Sequence, residues 1–242
     1  MTDLQCGQAH VWTLPVRRAD EPRIERLRGV LSDQERLRSE RISDAPSRQE
    51  YLAAHILVHK MLAHFSAVAA ADWHFVIGPH GRPEPAPAID ATDLRFNLSH
   101  TSGLVACALT KGDAIGIDVE WLQRTGKLDA IAEKKFSLPE AAYYKSASLQ
   151  DRRRIFFSFW TLKESYIKAI GKGLREPLDG FAFELDPLSI AFLHAQDAAD
   201  CWSFDLFAPA PDYLAAVAVA RPMGAPIEIF RRHLNWPELE AL

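Results

Sequence analysis

Residues 115–121 read Ile-Gly-Ile-Asp-Val-Glu-Trp, and this stretch decides the fold. Apolar side chains alternate there with Gly116, Asp118 and Glu120, and such alternation predicts a β-strand with one buried face. The two carboxylates then project from the other face, about 7 Å apart along the strand, where both can bind one hard divalent cation. An ordinary solvated strand face gives the same pattern. The segment alone therefore leaves both interpretations open.

A long amphipathic pattern follows between Arg152 and Lys172. Apolar residues recur there every three or four positions and Gly171 ends the pattern, which predicts a helix. A second stripe carries Trp160, Glu164 and Lys168 at intervals of four. Glu164 and Lys168 are either a surface ion pair or, next to a buried tryptophan, part of a cleft wall.

The segment Phe96-Asn-Leu-Ser-His100 predicts a short strand that delivers Ser99 and His100 into a turn. A hydroxyl and an imidazole are suitable phosphate ligands, although a histidine of this kind is equally compatible with a structural or surface role. Adjacent strand side chains point to opposite faces, so the two do not form a nucleophile–base dyad. The stretch Gly78–Pro87 is rich in proline and glycine and predicts a connector rather than a helix or strand.

A weak internal repeat divides the chain into two. Ser32-Asp-Gln-Glu35 aligns with Ser137-Leu-Pro-Glu140, and each reads as a capping box that opens a helix. Strand-like apolar stretches later in each half also match. We therefore predict an α+β fold of two similar halves, residues 1–112 and 113–242, related by a pseudo-twofold axis with the active site in the cleft between them.

Composition limits the function classes. Of 242 residues, 48% are hydrophobic and 25% charged, as in ordinary globular proteins, and the net charge of −4 argues against bulk nucleic-acid binding. Three distant cysteines suggest neither a disulfide framework nor a zinc site. The start Met-Thr-Asp-Leu-Gln does not resemble a secretory signal and no apolar run is long enough to span a bilayer, so we expect a cytoplasmic protein without membrane contact.

Three segments in this order and spacing, Phe96–His100, Gly116–Glu120 and Phe159–Leu174, together resemble the 4′-phosphopantetheinyl transferase superfamily. The length and the repeat resemble its large monomeric, surfactin-synthetase-activating type, and Gly81-Arg82-Pro83 resembles that type's Gly-Lys-Pro turn. The resemblance implies a magnesium-dependent enzyme. It would transfer the 4′-phosphopantetheine group of coenzyme A to a serine of an apo acyl or peptidyl carrier protein and release 3′-phosphoadenosine 5′-phosphate.

The resemblance also implies roles for individual residues. The ligands of Mg²⁺, with Mn²⁺ as an alternative ion, would be Asp118, Glu120 and Glu164. The coenzyme A pyrophosphate would be held by His100 and Lys168 near Ser99, and the nucleotide end by Arg48 and Arg82, with further contributions from Arg38 and Lys163. Glu164, Lys168 and His100 would be the catalytic residues. Glu164 is the candidate base for the carrier serine, directly or through a metal-bound water, and this role competes with metal binding.

The partner implied by the resemblance is an acidic carrier-protein helix. The segment Gln123–Phe136 carries more basic than acidic residues and a strip of apolar ones, so we predict docking near it, while a solvated helix with its apolar side inward explains the same pattern. Carriers of fatty-acid, polyketide and peptide synthesis remain alternatives. Two rival functions also remain open, a non-catalytic coenzyme A-binding module and a metal-dependent phosphohydrolase that uses the same carboxylates.

Overall fold

A computed structural model describes residues 4–78, 81–87, 89, 93–172, 177–193, 199–220 and 225–242. Its α-helices are α1 (Glu21–Leu27), α2 (Asp33–Glu40), α3 (Ala45–His64), α4 (Leu128–Lys135), α5 (Leu138–Ser146), α6 (Leu149–Ile170) and α7 (Trp236–Glu240). Its strands are β1 (Gln8–Pro15), β2 (Phe75–Ile77), β3 (Pro83–Pro85), β4 (Leu94–Thr101), β5 (Leu104–Lys111), β6 (Ile115–Trp121), β7 (Phe181–Leu185), β8 (Leu188–Phe192), β9 (Trp202–Phe207), β10 (Tyr213–Ala220) and β11 (Glu228–His233).

Two sheets repeat one strand order. The first has the order β11-β1-β5-β4 and the second β6-β10-β9. Strand β1 of the first sheet corresponds to β6 of the second, β5 to β10 and β4 to β9. In both sheets the neighbouring strands of these sets pair antiparallel. The prediction of an α+β fold built from two similar halves is confirmed in this topology.

The helices repeat as well, because each half has a short helix followed by a long one. Both predicted capping boxes are present at the starts of α2 and α5. In the first half the capping Glu35 lies 3.0 Å from Nε2 of His59 on α3, and in the second half Glu140 lies 2.7 Å from Nζ of Lys163 on α6. A buried carboxylate therefore joins the short helix to the long helix in both halves.

The hydrophobic core is arranged in three parts. One cluster lies between the first sheet and helices α1 and α3, and a second lies between the second sheet and helices α4 to α6. A third cluster, made mainly of alanine, valine and isoleucine side chains, lies between the two sheets. Small side chains allow the sheets to approach each other closely, so the two halves form one packed body.

The structure differs from the predicted division at residues 112 and 113. Strand β11 returns to the first sheet and pairs parallel with β1, and Trp236 of α7 donates from Nε1 to the carbonyl of Pro15 at 3.0 Å. The C-terminal segment therefore completes the first half, an arrangement between distant segments that local patterns do not reveal. The connector prediction is also wrong in part, because β3 pairs with β2; residues 79 and 80 of that stretch lie outside the described residues.

Candidate active site

Gly116 sets the distance between β6 and α6. A Cβ atom added at this position would lie 2.1 Å from the carbonyl oxygen of Ser165 and 2.4 Å from the backbone nitrogen of Ala169, both in α6. Any larger residue would force the strand and helix apart. The predicted strand and helix are confirmed, and the close approach brings Asp118 to the last turns of the helix.

Asp118 and Lys168 form an ion pair at this contact. Lys168 Nζ lies 2.6 Å from Oδ1 of Asp118, and it also donates to the carbonyl of Ile117 at 3.1 Å and to Oγ of Ser99 at 3.0 Å. The Ser99 hydroxyl donates to the same Asp118 oxygen at 3.1 Å. The predicted residues Ser99, Asp118 and Lys168 are thus brought together in one network.

Strand β4 is joined to β6 by hydrogen bonds between side chains of β4 and the backbone of β6, and not by the backbone-to-backbone hydrogen bonds of a sheet. Three polar side chains at alternate positions of β4 accept hydrogen bonds from three alternate backbone N–H groups of β6, at 2.9 to 3.3 Å: Asn97 from Ile117, Ser99 from Val119 and Thr101 from Trp121. This seam connects the two sheets and fixes Ser99 beside Asp118. Strand β4 also runs one residue further than predicted, so that the turn begins after Thr101.

The three predicted metal ligands lie in a shared electrostatic environment. Burial, and next the charge of Asp118, raise the pKa of Glu120 and of Glu164 to about 7. Glu120 is paired with Arg124 at 2.6 Å and accepts from the indole of Trp160 at 3.1 Å. Mutual repulsion of this kind is relieved by a cation.

A further observation bears on a cation. Oδ2 of Asp118 is buried and has no hydrogen-bond partner in the described part of the chain. An unpartnered buried carboxylate oxygen is costly unless a ligand binds it. Within the described ranges, however, no group of three or more His, Cys, Asp or Glu side chains is assembled as a metal site. The donor types fit Mg²⁺, and the assignment of the three ligands stays a prediction.

Two adjoining cavities meet at His100 and Lys168. Cavity A, of about 350 Å³, is also lined by Arg38, Tyr51, His55 and Arg82. Cavity B, of about 870 Å³, is also lined by Asp44, Glu50, Asp118, Glu120 and Arg124. His100 is partly exposed, and its Nδ1 lies 3.7 Å from the buried carboxylate of Glu50. A basic cavity and an acidic cavity therefore share one wall.

The arginines predicted to bind the nucleotide end occupy different places. Arg82 lines cavity A, but its guanidinium donates to four backbone carbonyls of β4, β6 and α6 at 2.8 to 3.4 Å. Arg48 donates to the carbonyl of Ile42 at 3.3 Å and lines another cavity beside Gln49 and Glu50. Arg38 does line cavity A. The structure thus brings Arg38 and Arg82, and not Arg48, to the cavity that His100 also lines.

The prediction that Lys163 contributes to cofactor binding is wrong. Its side chain is fully buried, pairs with Glu140, and donates to the carbonyls of Leu178 at 2.6 Å and Phe181 at 2.8 Å. These partners occupy the amine, and the residue lies on the core side of α6. Lys163 holds α5, α6 and the segment before β7 together.

In the predicted docking segment, the apolar and basic residues separate. Ala132 and Phe136 are buried in the second core cluster, so the apolar strip faces inward, while Lys134 and Lys135 are exposed. Next to them, at the start of α5, Leu138 is 88% exposed. An apolar contact surface is therefore available on α5 rather than on the strip that the sequence indicated.

Comparison of the sequence with known proteins shows the family to which the chain belongs. The family model of the 4′-phosphopantetheinyl transferase superfamily matches residues 114–218. The 4′-phosphopantetheinyl transferase HetI of Nostoc sp. is 31% identical over 219 residues, which cover 90% of this chain and 90% of HetI. The chain belongs to the 4′-phosphopantetheinyl transferase superfamily. The transferase Sfp of Bacillus subtilis is also similar, 28% identical over 82% of this chain and 86% of Sfp.

Several residues of the candidate site were not singled out by the sequence. Trp160 was noted as a buried aromatic, but not as a hydrogen-bond donor to Glu120. Glu50 and His55 carried no sequence signal, since α3 is apolar over most of its length and its sequence does not show which of its few polar side chains reach a cavity. Among the described residues, none of the helices combines the length and the apolar composition of a membrane-spanning segment.

Proposed function

We propose that the wall between the two cavities is where this transferase moves the 4′-phosphopantetheine group of coenzyme A to a carrier-protein serine. The observation that carries the proposal is Asp118, which is buried, has one oxygen paired with Lys168 and has its other oxygen without a partner. In a member of this family, such a carboxylate between a basic and an acidic cavity fits a metal-assisted phosphoryl transfer.

The reaction forms one bond and breaks one. The serine hydroxyl oxygen attacks the β-phosphorus of coenzyme A, and the bond from that phosphorus to the bridging oxygen breaks, which releases 3′-phosphoadenosine 5′-phosphate. Negative charge grows on the pyrophosphate oxygens in the transition state. Lys168 and His100 would bind these oxygens from the shared wall, where their charge stabilises the transition state more than the ground state.

Asp118 and Glu120, which line cavity B, would hold a magnesium ion together with Glu164. A magnesium ion supplies Lewis-acid stabilisation of phosphate oxygens. The raised pKa values of Glu120 and Glu164 support this assignment, because both carboxylates are destabilised by burial and by Asp118 in the absence of a cation. Manganese is the alternative ion for the same oxygen ligands.

Glu164 would also accept the proton of the carrier serine. Its pKa of about 7 suits a general base near neutral pH. A metal-bound carboxylate is a weaker base, so the two roles compete on this residue. Glu164 either takes the proton directly or acts through a water molecule.

Cavity A would hold the nucleotide end of coenzyme A. It combines the cationic side chains Arg38, Arg82 and Lys168 with apolar walls, which matches a phosphorylated nucleoside. The sequence-based assignment of Arg48 to the nucleotide end is retained only as a prediction, since Arg48 lines a different cavity.

The carrier would dock on α4 and α5. Lys135 lies close enough to Glu164 that its charge lowers the pKa of that carboxyl, in opposition to burial and Asp118, so the end of α4 lies near the reacting groups. Exposed lysines beside Leu138 suit an acidic helix with an apolar face. Leu138→Glu should raise KM for the carrier without changing coenzyme A affinity, whereas Leu193→Glu, just after β8 and 42% exposed, should change neither.

Incubation with coenzyme A, magnesium and a panel of apo acyl and peptidyl carrier proteins tests the proposal. The expected product is a carrier that gains the mass of one phosphopantetheine group on its serine, with a serine-to-alanine carrier as the control. Asp118→Asn should lower the rate about a thousand-fold while coenzyme A still binds. Release of phosphopantetheine or phosphate without carrier would indicate a phosphohydrolase, and binding without turnover would indicate a non-catalytic module. The cytoplasmic location and monomeric state stay predictions.

A further inference from the structure

His55 on α3 lines cavity A, and one of its two ring nitrogens is bound on the protein side. Its Nδ1 lies 2.7 Å from Oε1 of Glu35. Because a carboxylate only accepts hydrogen bonds, Nδ1 is the donor, and in the neutral tautomer with this proton Nε2 is an acceptor. The ring also packs against Tyr51 at a centroid distance of 4.2 Å, so its orientation is fixed from two sides.

The carboxylate behind His55 is itself firmly held. Glu35 accepts from the backbone N–H of Ser32 at 2.8 Å and pairs with Nε2 of His59 at 3.0 Å. Nδ1 of His59 lies 2.7 Å from the carbonyl oxygen of Ala70, so the ring that pairs with Glu35 is itself held at both nitrogens. Burial raises the pKa of Glu35, but the hydrogen bonds from His55 and His59 outweigh burial and keep that pKa well below its ordinary value. Glu35 is therefore a charged, immobile acceptor.

In the second half of the chain the equivalent carboxylate, Glu140, has different hydrogen-bond partners. There Glu140 accepts from Ser137 and pairs with Lys163, and its remaining oxygen accepts from the backbone N–H of Phe183 at 2.9 Å. Both oxygens of Glu140 are thus bound by buried groups of the protein core. In the first half the corresponding free oxygen instead orients His55, a side chain that lines a cavity.

The surroundings of His55 indicate what its free nitrogen would meet. Tyr51 packs on the His55 ring, and besides its cationic residues cavity A has flat or apolar groups that suit a purine ring better than a phosphate: Tyr51, Ala54, Ile77, Pro83, Leu98 and Ile167. A hydrogen-bond acceptor in such a wall complements a donor on the base. In coenzyme A that donor is the exocyclic amine of adenine.

We propose that His55 is a specificity-determining residue that accepts a hydrogen bond at Nε2 from the exocyclic amine of adenine, and that Glu35 is its positioning residue. This inference rests on the proposed binding of coenzyme A in cavity A. It predicts that the protein discriminates coenzyme A from the analogue in which hypoxanthine replaces adenine. The analogue presents a carbonyl oxygen to Nε2, so two acceptors would face each other.

Two substitutions separate the two ring nitrogens. The side-chain amide nitrogen of asparagine has the position of Nδ1 relative to Cβ, and that of glutamine has the position of Nε2. His55→Asn can therefore keep the bond to Glu35 while it loses the group that faces the cavity. His55→Gln keeps a group at the cavity and loses the donor to Glu35, so the melting temperature should fall.

The experiment measures the dissociation constants of coenzyme A and its hypoxanthine analogue by calorimetry, together with melting temperatures. We expect the wild-type protein to prefer coenzyme A about tenfold, and His55→Asn to reduce that preference to nearly one with little change in melting temperature. A full preference retained in His55→Asn would overturn the inference, as would an equal loss of affinity for both ligands. Carrier modification by the wild-type protein is assayed separately, so failure of the proposed function and failure of this inference give different results.

Discussion

Nζ of Lys168, on α6, lies 2.6 Å from Oδ1 of Asp118, on β6, at the point where the two halves of the chain meet. The same amine reaches Ser99 on β4, so one cation ties together three elements. Its position is therefore set by the fold before any ligand arrives. A preorganised cation of this kind stabilises developing negative charge without reorganisation during the reaction.

Glu164→Gln distinguishes the possible roles of Glu164. A metal ligand that becomes neutral should bind magnesium more weakly, and excess magnesium should then partly restore the rate. A general base should lose turnover at every magnesium concentration, and the acidic limb of the pH–rate profile should flatten. We expect weaker magnesium binding with incomplete rescue, measured as rate against magnesium concentration. A fully active variant would remove Glu164 from both roles and leave it as a structural residue of α6.

Glu120 should make the metal-free protein less stable as the pH rises. Its pKa is raised to about 7 from 4.5, so its protonated form favours folding, and this contribution is present below pH 4.5 and lost as the pH rises through 7. Burial lowers the pKa of His10, His64 and His233, whose contributions have the opposite sign, so the prediction concerns the downward contribution of Glu120 to the slope of Tm against pH, measured between about pH 5 and pH 8 in thermal melts with a chelator. Glu120→Gln should remove that contribution, and Glu184→Gln, at an exposed position of β7, should not. A slope unchanged by Glu120→Gln would contradict the assignment.

Substitutions of three arginines are expected to weaken the binding of coenzyme A to different degrees. Arg38→Gln should weaken coenzyme A about tenfold, because a charge-assisted hydrogen bond in cavity A is lost. Arg48→Gln should have a smaller effect, since Arg48 lines a different cavity. The main effect of Arg82→Gln should be a lower melting temperature, because the backbone carbonyls bound by Arg82 lose a cationic donor. Comparison of coenzyme A with 3′-dephospho-coenzyme A tells which arginine contacts the 3′-phosphate, and a larger loss for Arg48→Gln than for Arg38→Gln would reverse the ranking.

Gly116→Ala should destabilise the fold by about 3 kcal/mol, because the new Cβ overlaps backbone atoms of α6 that cannot move independently. Chemical denaturation measures this change. Gly29→Ala is the matched control, since nothing lies within 4 Å of a Cβ at Gly29. Unchanged stability in Gly116→Ala would mean that the strand and helix can separate freely.

Local patterns predicted much of this structure. Strand 115–121 and the helix that ends at Gly171 follow from side-chain periodicity and from the left-handed conformation that glycine adopts readily. Both capping boxes were predicted because the serine and the glutamate of each box are three residues apart. The motif order was sufficient to predict the family.

Other features depend on contacts between distant segments, and the sequence alone did not predict them. Lys163 and Lys168 lie on one helix five residues apart, yet one points into the core and the other into the cleft. The seam from β4 to β6 uses ordinary polar residues whose partners become apparent only when the two sheets meet. The four backbone carbonyls that accept from Arg82 come from β4, β6 and α6, and a sequence does not show that these segments meet around it.

The return of β11 to the first sheet affects how the protein is made. On the ribosome β1 emerges early, but one of its edges remains unpaired until residues 228–233 have been synthesised. Leu234, Trp236 and Leu239 reach the first core cluster at the same late stage. The first half therefore cannot finish folding before the second half has been translated, and in that interval the open edge of β1 is exposed to pairing with other chains.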